Sequence, residues 1–303
     1  MRTLKSRHTP LRGSTNKTRK GEYSTPSVPK WPNGAKSAAI FSFDVDGPYV
    51  MRAVYGEESY YLTQGEYDTR AGSLRILDIL RKKDVKATFC VVGRIAEDVP
   101  DLVAAIKKDG HEIAAHGYDH TPYYKLSRSR EKQDILKTIR ALQQVTGEKP
   151  VGHRTPEWNP SSNTLTLLGE IGGFQWNSDY LNDDLPYWVP TGSESHLVEI
   201  PTAASLDDWP LIIDGGMSPA QVAEVWKQEF DVLHEEGKLF VLTVHPLLSG
   251  RPSWSKALID TLAYACSLSD VWIATAGQIA RWWEQNMPEK SHGVRGVSAS
   301  LSN

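Results

Sequence analysis

The chain reads as an α/β protein built on a mostly parallel sheet of about eight strands, closed or nearly closed into a barrel. Three observations predict this. Apolar, strand-like runs alternate with helix-period segments from about residue 38 to residue 286. Gly110, Gly147 and Gly237 stand just past helical runs, where a left-handed cap is wanted. Finally, the chemically capable polar residues fall just beyond the strand ends, where α/β barrels build their sites.

The first strand, 38 to 46, ends in Ile40-Phe41-Ser42-Phe43-Asp44-Val45-Asp46, and a helix-period segment follows at 69 to 83. The second strand, 85 to 92, carries Cys90 in mid-run and precedes a helix at 99 to 109. A third strand at 112 to 116 leads to a long helix at 127 to 146. Strands at 149 to 154, 174 to 179 and 197 to 201 follow, with a helix at 161 to 171 between the first two. A helix at 219 to 236 feeds the apolar strand at 238 to 245, and a helix at 254 to 267, a strand at 271 to 275 and a helix at 276 to 286 complete the alternation. No short repeat supports a solenoid.

With 303 residues the chain can bury a large core, and the reading places one barrel domain at 35–288. Residues 1–34 form a basic tail in which Arg2, Lys5, Arg7, Arg12, Lys17, Arg19 and Lys20 face the single acid Glu22; residues 289–303 form a second, Ser/Gly-rich tail. The leader has no apolar segment of a secretory signal. Its Arg- and Ser/Thr-rich composition would suit an organellar transit peptide, but Pro10 and Gly13 interrupt an amphipathic helix, so disorder is expected. No stretch approaches the ~18 apolar residues of a membrane span. The expectation is a cytoplasmic protein. A net charge of -3 gives no electrostatic reason to bind nucleic acid or membrane. Cys90 and Cys266 lie in apolar runs and read as buried thiols, which leaves no disulfide or zinc-thiolate framework.

Asp44 and Asp46 carry the strongest signal. Alternate strand residues face one side, so two acids one residue apart reach the same site while Val45 turns back to the core. His116 and His120, four apart in His116-Gly117-Tyr118-Asp119-His120, can point at one ion. Together with an acid they make the ligand set of a catalytic zinc, and the same set also suits iron, cobalt or manganese. His153, Arg154 and Glu157, then Asp179, then His245 follow the later strands.

In order, Phe43-Asp44-Val45-Asp46, Ala87-Thr88-Phe89, Gly110-His111-Glu112-Ile113-Ala114-Ala115-His116-Gly117-Tyr118-Asp119-His120, Gly152-His153-Arg154-Thr155-Pro156-Glu157-Trp158, Asp179 and Leu242-Thr243-Val244-His245-Pro246 resemble the polysaccharide deacetylase superfamily, the carbohydrate esterase family 4 homology domain. The resemblance spans roughly 35 to 285. It implies a distorted (β/α) barrel of seven to eight mostly parallel strands that hydrolyses a non-peptide amide C–N bond with one divalent ion, usually Zn²⁺, with Co²⁺, Mn²⁺, Ni²⁺ or Fe²⁺ as alternatives. By motif, Asp46, His116 and His120 would hold the metal and Asp44 would be the general base, oriented by Arg154. His245 would be the general acid, oriented by Asp179.

Tyr118, with the backbone out to Thr121, is expected beside the reacting carbonyl, and Glu157 and Trp158 are expected at the pocket wall. An acid and an indole at 157 and 158, where many members carry glycine, join Gly65-Glu66-Tyr67-Asp68-Thr69-Arg70 and Ser205-Leu206-Asp207-Asp208-Trp209-Pro210 in resembling the branch with peptidoglycan-deacetylase-like, cyclic imidase and allantoinase proteins. The expected substrate is therefore an N-acetylated sugar or glycan, or else a small cyclic imide or ureide. A catalytically silent carbohydrate-binding barrel would require a missing site residue, and an iron oxygenase would require a cosubstrate site that the sequence does not display. Tryptophan-bearing loops are compatible with a homo-oligomer, and Asp207 and Asp208 with a lid or a subunit contact.

Overall fold

The strands are β1 (Ser37–Val45), β2 (Thr88–Val91), β3 (Glu112–Ala115), β4 (Gly152–His153), β5 (Trp176–Asn177), β6 (Tyr187–Pro190), β7 (His196–Glu199), β8 (Leu239–Val244) and β9 (Val271–Ile273). They come from a computed structural model that describes residues 28–192 and 195–287. They run in the order β6-β7-β5-β4-β3-β2-β1-β8, with β9 against the start of β1. Every pairing is parallel except β6 with β7. The result is an open α/β barrel. Beside β8 the place of a further strand is taken by one parallel bridge, Asp207 to Thr243.

Two apolar layers follow from the period of the strands. Ala39, Phe41, Phe43 and Val45 of β1 face outward with Phe89, Val91, Phe240, Leu242 and Val244 into the layer covered by helices. Ala38 and Ile40 face inward with Cys90, Ala114, Leu239 and Val241. The amino end of this interior is plugged by Ile279, Ala280 and Trp283 of the last helix. Above this apolar plug, the barrel interior turns polar toward the carboxyl ends of the strands.

Helices α1 (Pro48–Tyr55), α2 (Ser59–Tyr67), α3 (Ser73–Lys83), α4 (Gly93–Asp98), α5 (Pro100–Lys108), α6 (Arg128–Thr146), α7 (Thr164–Ile171), α8 (Pro219–Glu235), α9 (Ser255–Ser267) and α10 (Ala276–Asn286) fill the connections. All the expected strands and helices are present, with ends moved by a few residues. Four elements were not expected. The edge strand β6 lies between Pro186 and Pro190, which read as loop punctuation. The first helix starts at Pro48 after Gly47, the second follows Glu58 and carries Gly65 near its end, and the fourth starts at Gly93 after Val92, so no capping side chain announces any of the three.

Two further expectations need correction. Cys266 is exposed rather than buried, because the α9 face that carries it looks away from the core; Cys90 is buried as expected. Trp31 was assigned to the basic tail, yet it is buried among Trp272, Trp282 and Trp283, and its Nε1–H donates to the Gly237 carbonyl at 2.8 Å. The rest of both tails, 1–27 and 288–303, lies outside the described residues. Among the described residues no helix is long and apolar enough to cross a membrane.

Trp31→Ala is expected to destabilise the fold by about 3–5 kcal/mol, the cost of emptying a large buried aromatic site. Urea denaturation checks this: a change near zero would return residues 28–34 to the tail.

Candidate active site

On β1 the inward series Ala38, Ile40, Ser42, Asp44 turns from apolar to polar toward the carboxyl end, and Asp46 continues it one step past the strand. The loop after β3 brings His116 and His120 to the same point, their ring centroids 5.3 Å apart. Asp46 Oδ1 lies 3.3 Å from His116 Nε2, and Asp46 Oδ2 lies 3.5 Å from His120 Nε2. All three residues are buried.

This cluster fits a divalent cation. Neither Asp46 oxygen accepts a hydrogen bond, and His120 Nδ1 has none either. An ion bound at 2.0–2.1 Å by tetrahedral ligands separates those ligands by roughly 3.3–3.4 Å, close to the spacings just given. His116 Nδ1 stands 2.9 Å from the Arg154 carbonyl, which can only accept; Nδ1 therefore carries a proton and Nε2 is the nitrogen turned to the acids, whose charges outweigh burial and raise the ring's pKa above the ordinary value. Burial drives His120 down to about 4, which leaves its ring neutral, as ligation requires. Asp46 is held well below the ordinary carboxylate range, since His120 and His116 outweigh a burial effect that alone would raise it.

Asp44 stands beside this cluster, with Oδ2 3.8 Å from His116 Nε2. Arg154 on the loop after β4 donates to Asp44 Oδ1 at 2.7 Å and is fixed in turn by Ser42 Oγ at 3.2 Å and Ser178 Oγ at 3.0 Å. Asp44 thus keeps one oxygen tied and one turned to the cavity. On the far side, His245 Nε2 is 3.7 Å from Asp46 Oδ2.

Asp208, not Asp179, orients His245. Asp208 Oδ1 meets His245 Nδ1 at 2.6 Å, and its carboxylate also accepts the His245 backbone N–H at 3.0 Å and the Ser249 hydroxyl at 2.6 Å. Burial opposes a charge on His245, but Asp208 and Asp207 outweigh it and raise its pKa well above the ordinary histidine value. The Asp207–Thr243 bridge explains the placement, because it lays residue 208 alongside the end of β8. Asp179 is spent elsewhere: Oδ1 accepts the Thr155 N–H at 2.7 Å and its hydroxyl at 2.9 Å, and Oδ2 accepts Asn177 Nδ2 at 3.1 Å. The sequence reading is compatible with a lid or a subunit contact at Asp207 and Asp208, and the structure instead sets both beside His245. Their signal was there in Leu206-Asp207-Asp208-Trp209-Pro210-Leu211, where two adjacent acids interrupt an otherwise apolar run.

Tyr118 also departs from expectation. Its hydroxyl donates to Glu97 at 2.6 Å, its backbone N–H donates to Asp134 at 2.9 Å, and Lys137 covers its ring, so it faces away from the cavity. The Thr121 N–H is likewise taken, by Asp119 at 3.3 Å. Glu157 and Trp158 do line the cavity, from a turn in which both take left-handed backbone, φ 59° and 49°. The cavity measures about 410 Å³. Its floor is the acid and histidine cluster, and its walls include Val50, Val54, Trp158, Leu181, Trp209 and Ile213.

Residues 54–173 match the family model described as polysaccharide deacetylase. A crystal structure of a putative polysaccharide deacetylase from Mycobacterium smegmatis is 33% identical, with a TM-score of 0.82 over 92% of this chain and 98% of that one. The chain belongs to the polysaccharide deacetylase family. Among other relatives of this family member, the Puue allantoinase structure is 30% identical, with a TM-score of 0.82 over 88% of this chain and 97% of that one. A peptidoglycan deacetylase of Helicobacter pylori is 27% identical over 247 residues, 70% of this chain and 84% of that protein.

Two substitutions separate the two halves of this polysaccharide deacetylase site. His120→Ala is expected to abolish metal uptake, as read by elemental analysis of the purified protein. Asp208→Asn is expected to keep the metal, whereas retained metal in His120→Ala would remove that residue from the ligand set.

Proposed function

We propose that the protein is a metal-dependent hydrolase that cleaves a non-peptide amide C–N bond, with N-deacetylation of an N-acetylated sugar or glycan as the reaction. The observation that carries this reading is a buried Asp-His-His cluster flanked by two differently held proton carriers: Asp44 on an arginine and His245 on a carboxylate. Asp46, His116 and His120 are the residues that would hold the ion, with Zn²⁺ the best match to two imidazoles and one carboxylate. When bound, the ion supplies Lewis acidity toward the acyl oxygen and the attacking water.

The remaining steps belong to the chain. Asp44, held by the Arg154 guanidinium at 2.7 Å, accepts a proton from water as the water oxygen bonds to the acyl carbon. His245, protonated under the field of Asp208 and Asp207, donates to the nitrogen as the C–N bond breaks. The products are a carboxylic acid and an amine. The two proton carriers are held by opposite partners, Asp44 by a guanidinium and His245 by a carboxylate. No nucleophilic serine or cysteine is required. Cys90 is buried beside Asp44, in register with it on the neighbouring strand, where burial pushes its thiol up.

A second reading, hydrolysis of a small cyclic imide or ureide, is favoured by the lining of the cavity. Walls from α1 and the segment after the Asp207 bridge are mostly apolar, with Val50, Val54, Trp209, Pro210 and Ile213 against the polar Tyr55 and Asp214. The likeness to an allantoinase structure supports the same alternative.

Asp44→Asn is expected to retain metal while turnover falls by on the order of 10²-fold or more, the usual weight of a general base; turnover at the parent rate would remove that role. Zn²⁺-loaded protein is to be assayed side by side on N-acetylglucosamine oligomers, by acetate release, and on a cyclic imide, by loss of ring absorbance. Acetate release is the expected outcome, ring opening alone selects the second reading, and turnover of neither overturns both.

A further inference from the structure

The loop that carries Asp46 has to leave β1, turn at Gly47 with φ 58°, and enter α1 at Pro48. Its N–H groups point into the protein rather than to solvent. The acceptor comes from another element: Asp68 Oδ2 takes the Asp46 N–H at 3.0 Å and the Gly47 N–H at 3.0 Å, while Oδ1 accepts the Ser73 hydroxyl at 2.8 Å. Asp68 is fully buried and touches no substrate space.

The segment that bears Asp68 is wedged between two catalytic loops. A Cβ at Gly65 would stand 2.5 Å from Pro48 Cα and 2.6 Å from the Gly47 carbonyl oxygen. At Gly72 it would stand 2.1 Å from the carbonyl oxygen of Pro246, the residue after His245. Between these two glycines, residues Asp68–Gly72 widen into a π-turn, a deformation of helical backbone common at functional sites. Without side chains at 65 and 72 the segment sits at backbone contact with both the Asp46 loop and the His245 loop, and Asp68 is its polar attachment to the first.

We propose that Asp68 is a positioning residue for the metal site, fixing the Asp46 carboxylate at its 3.3 Å and 3.5 Å spacings from the two imidazoles by accepting the Asp46 and Gly47 backbone N–H groups. The inference rests on the assignment of Asp46, His116 and His120 as metal ligands. Asp46 has no side-chain hydrogen bond of its own, so the orientation of its carboxylate depends on its backbone. Support of this kind around a ligand is typically worth ten- to a hundredfold in metal affinity.

The test is Zn²⁺ affinity measured by competition with a chromophoric chelator, with the Co²⁺ absorption spectrum as a second readout that needs no substrate. Asp68→Ala, which removes the acceptor, is expected to weaken Zn²⁺ by about tenfold or more and to change the Co²⁺ spectrum. Asp68→Asn is expected to stay within about threefold of the parent, because its carbonyl oxygen still accepts both N–H groups while its amide donates to Ser73 Oγ.

A merely structural role would lower the melting temperature of both variants and leave the affinity of the folded protein alone, and that result overturns the proposal. Equal weakening in the two variants overturns the hydrogen-bond assignment. If Asp68→Ala does not fold, Ser73→Ala carries the test: freeing Oδ1 should weaken Zn²⁺ severalfold, and unchanged affinity overturns the proposal. Parent protein that takes up no Zn²⁺ would instead overturn the ligand assignment beneath it.

Discussion

Buried carboxylates that accept backbone N–H groups hold the rim of this barrel together. Where the strands end, the chain turns irregularly below the surface, and each such turn leaves donors that neither ladder nor water satisfies. Asp68 takes the donors after β1, the half-buried Asp134 the Tyr118 N–H after β3, and Asp179 the Thr155 N–H after β4. Glu199 takes the Asp179 and Tyr180 N–H groups, and Asp208 those of His245 and Ser249. A hydrogen bond to an ionised acceptor returns about 1.5–3 kcal/mol, whereas desolvating the carboxylate costs several. One bond per acid would not suffice. Each of these acids accepts at least two.

The same arrangement sets the electrostatics of the cavity. Burial raises Asp68 to about 7, Asp134 to about 7 and Glu199 to about 8, the mark of acids placed where charge is expensive. Asp44, Asp46, Asp207 and Asp208 add four more carboxyl groups within the rim. Against them stand Arg154, committed to Asp44, and His245, committed to Asp208. Of the two imidazoles beside Asp46, burial keeps His120 neutral, while on His116 burial is outweighed by Asp44 and Asp46, which raise its pKa above the ordinary histidine value.

Much of this was legible in the sequence because it follows from the period of a strand. Asp44 and Asp46 announce a shared face, and His116 and His120 announce a shared point. The alternation of runs announces the parallel sheet. What stayed hidden depends on contacts between distant segments. Asp208 reaches His245 only because a single bridge to Thr243 substitutes for a missing strand, and no local pattern encodes that bridge. Tyr118 lies between two ligands in sequence, yet Glu97 and Asp134 turn it outward. Trp31 looked like the end of a polar tail because its partners Trp272, Trp282 and Trp283 lie more than two hundred residues away.

The division between strand ends and connections also separates chemistry from selectivity. Ligands, base and acid sit on strand ends or their first turns, fixed by the ladder and by the buried acids beneath them. The apolar walls come from the connections: Val50 and Val54 from α1, Trp209 and Ile213 from the stretch after the Asp207 bridge, and Leu181 from the loop after β5. Val50 packs with Leu247, Leu248 and Trp209, and Leu247 and Leu248 follow His245-Pro246, so this wall stands on the His245 side of the cavity. Trp209 also meets the His245 ring edge-on, with centroids 5.7 Å apart. His245, the proposed general acid, and this apolar surface are therefore parts of one packed unit. A change of substrate within this fold needs new connections there, while Asp44, Asp46, His116 and His120 stay where the first and third strands put them.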